Sequence, residues 1–133
     1  MRVTDLIVGD WVSVNGLNLK VGAIHADEIG VFDPDYKIYW CSDDGLDRID
    51  PIPLTEEILV KNGFKKNDRG DFVIDDTIVI AKENYCPKNY YACTWYQEDF
   101  DDEIYYIGIC ELTFVHQLQH LLRLAGIEKE IEL

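Results

Sequence analysis

Apolar and polar residues alternate with a period of two over most of this chain, the mark of half-buried strands, and two helical blocks interrupt the alternation. Asp10-Trp-Val-Ser-Val-Asn15 is the first such run, and Asn15-Gly16 is a strong signal for a two-residue hairpin turn. Leu19-Lys-Val-Gly-Ala-Ile24 resumes the extended pattern. Glu28-Ile-Gly-Val-Phe32 and Lys37-Ile-Tyr-Trp-Cys41 follow, divided by the turn-forming Asp33-Pro34-Asp35. These runs predict a small curled β meander over 1–50, with an SH3-like barrel as one way for it to close. Such barrels often serve as binding modules, but a fold does not by itself confer a function.

Pro51-Ile-Pro-Leu-Thr-Glu-Glu-Ile-Leu-Val-Lys-Asn-Gly-Phe64 spells out a short helix over Thr55–Asn62. The two prolines make a stiff, extended lead-in. Thr55 can cap the N-terminus with its hydroxyl, and Glu56 and Glu57 sit in the first turn, where carboxylates favour the positive end of the macrodipole. Leu54 and Leu59 have the spacing of a hydrophobic staple, Gly63 supplies the stop, and Phe64 can fold back onto Ile58 or Leu59. A helix this short does not stand alone in water, so it must dock on neighbouring sheet.

Beyond Phe64, Asn67-Asp68-Arg69-Gly70 is a turn between Phe64-Lys-Lys66 and Asp71-Phe-Val-Ile74, and Asp75-Asp76 leads into Thr77-Ile-Val-Ile-Ala-Lys82. Tyr90-Tyr-Ala-Cys-Thr-Trp-Tyr96 and Ile104-Tyr-Tyr-Ile-Gly-Ile-Cys110 are the richest β segments, divided by an acidic loop, Glu98–Glu103. Their aromatics fit either core and cross-strand pairs or a flat exposed face. A second helix is predicted over Leu112–Ala125, with Val115, Leu118, Leu122 and Ala125 on one stripe and Gly126 as its stop. The tail Ile127–Leu133 alternates as an edge strand or frayed end would. The fold class expected is therefore α+β: an N-terminal β meander, a short central helix, and an antiparallel sheet covered by a C-terminal helix. One domain, 1–133, is expected, with subdomains at 1–50 and 51–133.

Composition narrows the function classes. A hydrophobic content of 47% supports a packed core, and a formal net charge of −14, from 26 acidic residues against 12 Lys and Arg, repels nucleic-acid phosphates. Direct nucleic-acid binding is disfavoured, while an acidic surface that mimics nucleic acid stays open. Cys41, Cys86, Cys93 and Cys110 form no Cys-x-x-Cys pair, no leader is evident, and a reduced cytoplasm is the expected setting. Cys41 and Cys110, at the ends of apolar runs, are expected to be buried. No run reaches the length of a membrane span.

Candidate chemistry is sparse. The acidic turn Asp43-Asp44-Gly45-Leu46-Asp47 lacks the later glutamate and ligand spacing of a calcium loop. His116-Gln117-Leu118-Gln119-His120 sets two imidazoles four residues apart on one helical face, a spacing that suits a single zinc ion. The general-base position of a zinc protease is Gln117, which cannot take a proton, and no further ligand pattern accompanies the pair. The plain alternative is two histidines on the polar face of the helix. Ser13 and Ser42, the only serines, lie in no nucleophile elbow, and no glycine-rich phosphate loop exists. No catalytic, cofactor or metal residue is therefore assigned.

Three places carry a resemblance: the opening Asp5-Leu-Ile-Val-Gly-Asp-Trp-Val with Asn15-Gly16, the block from Pro51 to Phe64, and the closing Val115-His-Gln-Leu-Gln helix. On these the chain resembles a family of small proteins without assigned activity from gut anaerobic bacteria and their phages or mobile elements. The resemblance implies a bacterial, cytoplasmic setting and supplies no catalytic residues; at the position of His120 it implies asparagine more often than histidine. The function expected is a non-enzymatic protein-interaction or accessory module with a protein partner. The alternatives are an acidic nucleic-acid mimic and a non-catalytic metal-binding protein using His116 and His120.

Overall fold

The alternating runs of the first fifty residues pair in the order of the sequence. In the structure, a computed structural model that describes residues 2–75, 78–82, 90–97 and 104–133, with the side chains of 95–97 and 104–107 excepted, the fold is α+β and its contacts divide it into two units. The first is Met1–Pro53 with Phe114–Glu128, and the second is Leu54–Thr113 with Lys129–Leu133.

In the first unit β1 (Trp11–Val14) pairs antiparallel with β2 (Leu17–His25) across Asn15 and Gly16, whose φ values of 51° and 84° are those of the predicted hairpin. β3 (Glu28–Phe32) and β4 (Ile38–Ser42) extend the sheet on one side, and β5 (Ile49–Asp50) pairs with β1 on the other. The order β4-β3-β2-β1-β5 makes an open, curled half-barrel with β4 and β5 as its edges. Val12, Val14, Val21, Ile29, Val31 and Cys41 form its core, joined by Val3 and Leu6 from a 3-10 turn at Val3–Asp5. Period-two alternation puts these side chains on one face of the sheet.

The second unit holds α1 (Glu56–Lys61) and a sheet of β6 (Lys65–Lys66), β7 (Phe72–Ile74), β8 (Ile78–Lys82), β9 (Tyr90–Gln97) and β10 (Ile104–Leu112), in the antiparallel order β10-β9-β8-β7-β6. α1 is built as its sequence predicts. The Thr55 hydroxyl accepts from the Ile58 amide at 3.3 Å, Gly63 closes the helix at φ 83°, and the Phe64 amide donates back to the Leu59 carbonyl at 3.1 Å. Leu59 has no exposed surface and Phe64 is buried. Glu56, in the first turn, binds Lys66 at 3.0 Å and Lys82 at 3.2 Å, which ties the helix to β6 and β8.

Three expectations are corrected. α2 spans Val115–Leu124 and begins three residues later than the expected Leu112, because Leu112 is still paired with Tyr90 in the ladder and the Thr113 carbonyl accepts from the Leu54 amide at 2.9 Å. By its contacts α2 groups with the first unit. Cys110 is exposed: β10 is an edge strand, and a bulge between Gly108 and Cys110 breaks the alternation that points it inward. The tail is neither an edge strand nor frayed. Asn62 donates to the Glu132 carbonyl and accepts from its amide, both at 2.7 Å, and Ile131 has no exposed surface.

Of the aromatics on β9 and β10, Tyr90 is buried and Tyr91 half-buried, whereas the side chains of Trp95, Tyr96, Tyr105 and Tyr106 lie outside the described residues, as do Cys86 and the acidic loop 98–103. Among the described residues no helix is long and apolar enough to cross a membrane.

Candidate functional site

α2 presents its two histidines in different environments, His116 buried and His120 half-buried. His116 is 5% exposed, its ring stacks on Phe114 at 5.9 Å between centroids, and its Nδ1 has no hydrogen-bond partner. Burial pushes its pKa below the ordinary value, and the Asp10 carboxylate offsets only part of that. His120, ring edge to ring face with His116 at 5.7 Å, sets its Nε2 2.6 Å from Asp10 Oδ2. A carboxylate only accepts when ionised, so this contact uses Nε2 as a donor and takes it away from metal ligation. Among the described residues no group of three His, Cys, Asp or Glu is placed to hold a metal ion.

Asp10 is the residue that the sequence undervalues. It reads as the start of a strand, yet its side chain has no exposed surface. Oδ2 also accepts from the Ile7 amide at 2.8 Å, while Oδ1 lies 3.7 Å from Arg123 Nη2 without a hydrogen bond. Gln119 completes the arrangement, accepting from the Trp11 amide and donating to the Gly9 carbonyl, each at 2.9 Å. Arg123 Nη2 donates to the Val8 carbonyl at 3.1 Å, close over Gly9, where a Cβ would meet the guanidinium at 2.9 Å. Residues four apart share a helical face, so Gln119 and Arg123 grip the same stretch of chain from successive turns. Beside the cluster Asp5, Phe114, His116, Gln117 and His120 line a cleft of about 380 Å³. An Asp–His pair can orient an acid–base group. Here the neighbouring polar groups are engaged with backbone amides and carbonyls, which makes the cluster a clamp between α2 and the start of β1. The buried thiols are not activated either: burial first, then Asp47 and Glu28, pushes Cys41 up to about 11, and burial raises Cys93.

The outer face of β3 and β4 is of another kind. Phe32, Ile38 and Trp40 are 38%, 40% and 46% exposed, and the register sets Phe32 opposite Ile38 and Trp40 opposite Gly30. Two glycines seat them. A Cβ on Gly22 would lie 2.6 Å from the Phe32 ring, and one on Gly30 would lie 2.7 Å from Ile38 Cγ2, so these side chains lie flat on bare backbone. The face continues from Phe32 into a groove of about 340 Å³ lined also by Trp11, Leu19, Lys20, Pro34 and Tyr36. Lys20 Nζ stands 5.1 Å over the Trp11 ring.

Tyr36 is 86% exposed and held at φ 61°, a left-handed conformation costly for a bulky residue. Asp33 fixes the turn, its Oδ1 accepting from the amides of Asp35 at 2.9 Å and Lys37 at 2.8 Å. Period-two patterning marks Ile38 and Trp40 as neighbours on one face, but the glycines beneath them come from β2 and β3, and only their presence in otherwise apolar strands hinted at that approach. Compared with known proteins, the chain matches no family model, no curated protein and no solved structure.

Proposed function

We propose that this chain is a non-enzymatic protein-interaction or accessory module, acting on a protein partner in the bacterial cytoplasm and in the phage or mobile-element setting that its resemblance implies. The observation that carries the reading is the exposed face of Phe32, Ile38 and Trp40, seated on Gly22 and Gly30 and continuous with the groove at Trp11 and Tyr36. Large apolar side chains left contiguous in water lose the burial term that stabilises folded proteins, and such faces mark interaction surfaces. The test is affinity capture from a lysate of the organism that carries the chain, using the wild type and a Phe32→Ser/Trp40→Glu variant shown by circular dichroism to be folded. A protein retained by the wild type and lost by the variant is the expected result. Identical captured sets, or turnover of a small molecule that survives the variant, would sink the reading.

A second reading is the acidic nucleic-acid mimic, favoured by the net charge of −14 and by Asp43 and Asp44 in the exposed turn after β4. Failure to displace DNA from DNA-binding proteins of the same organism at low salt would discard it. The metal alternative at His116 and His120 has less support, since His120 Nε2 is held by Asp10.

A further inference from the structure

β4 ends its sheet, pairing only with β3 among the described strands, and it carries none of the usual protections of a sheet edge. Ile38-Tyr-Trp-Cys-Ser42 contains no charge and no proline, and its five residues pair with β3 in unbroken register, without a bulge. The Asp33 amide donates to the Lys37 carbonyl at 2.8 Å. Antiparallel residues alternate between bonded and non-bonded pairs, so counting from that bond aims the amide and carbonyl of Ile38 and of Trp40 away from β3. The side chains of the same two residues form the exposed apolar face. The strand is bracketed by an excess of acids, Asp33 and Asp35 against Lys37 before it and Asp43, Asp44 and Asp47 against Arg48 after it. Asp33 and Asp47 also accept local hydrogen bonds, from the Asp35 amide and the Tyr39 hydroxyl.

We propose that the β4 edge takes an extended segment of a partner protein as an added strand, a segment with apolar side chains at alternate positions and Lys or Arg at both ends. This rests on the interaction reading above and names the partner chemistry of the same face. The outward amides and carbonyls of Ile38 and Trp40 supply main-chain bonds, and the face beside Trp40 receives the alternate apolar side chains. The acids at the two ends of the strand select basic flanks over acidic ones and make binding salt-sensitive. They also disfavour a second copy of this chain, which would bring a net charge of −14 and the same acidic brackets to the edge.

The probe is a synthetic peptide of about ten residues, alternating valine and threonine with two lysines at each end, chosen for extended propensity and complementary charge. Hydrogen exchange read by NMR on the whole protein should show protection of the Ile38 and Trp40 amides on adding it. Affinity should fall about tenfold when the peptide's bonding amides are N-methylated, and again when glutamates replace the lysines. Absence of binding, protection elsewhere, or equal affinity of the N-methylated peptide would overturn strand addition. Protection that grows with protein concentration and no peptide would overturn it in favour of self-pairing. If the peptide fails while Phe32→Ser/Trp40→Glu still abolishes capture of the cellular partner, strand addition falls and the interaction reading stands; if the variant also captures normally, both fall.

Discussion

Asp10 has no side-chain exposure, and a carboxylate taken out of water is tolerated only where donors surround it. The Ile7 amide and His120 Nε2 meet Oδ2, while Arg123 stands off Oδ1 at 3.7 Å. His116, beside this cluster, gives a pH dependence with a definite sign. The unfolded chain takes up a proton near 6.5, whereas burial delays protonation of the folded His116 to lower pH. Between those two values the unfolded state binds more protons, so stability is full above about 6.5 and declines as pH falls below it. Urea unfolding of the wild type and His116→Gln from about pH 7.5 to 5.5 checks this, because groups common to both cancel in the difference. The wild type should lose stability relative to the variant as pH falls; a constant or widening wild-type advantage would contradict the assignment. The sequence displays the histidine spacing plainly but conceals the clamp, since Asp10 and His120 are separated by 110 positions and nothing local to either marks the other.

At the scale of elements, α1 was readable because each of its signals acts within a few residues: Thr55 on Ile58, Phe64 on Leu59, Gly63 on its own backbone. The Asn15-Gly16 hairpin is legible for the same reason. Leu59 has no exposed surface, so truncating it removes transfer energy and leaves a cavity. Leu59→Ala should destabilise the protein by ~2–4 kcal/mol, seen as a lower urea midpoint at unchanged slope. A change near zero would show that α1 only decorates the surface. Features set by distant pairing escaped the sequence. The start of α2 is delayed by the Leu112–Tyr90 pair and the Thr113–Leu54 bond, and the tail is pinned by Asn62, a residue whose sequence context announces only a helix end. Cys110 escaped because a bulge in β10 breaks a pattern that looks regular in sequence.

At the scale of the whole molecule, acidity and exposed apolar surface act together. A net charge of −14 opposes the close approach of like-charged surfaces, and the face of Phe32, Ile38 and Trp40 lies exposed on the same chain. The α+β class was legible from the alternation and the two helical blocks. The face was not, because it depends on Gly22 and Gly30 lying beneath side chains from other strands, and register across strands is not written in any one of them. The most direct measurement is the dissociation constant of the captured partner for the wild type, for Phe32→Ser/Trp40→Glu, and for Leu46→Ser, whose apolar side chain is fully exposed in the acidic turn after β4. A loss of at least about tenfold is expected in the double variant and little change in the Leu46 control, since interface energy concentrates in a few aromatic anchors. Equal affinity for all three proteins, or a loss confined to Leu46→Ser, would contradict it.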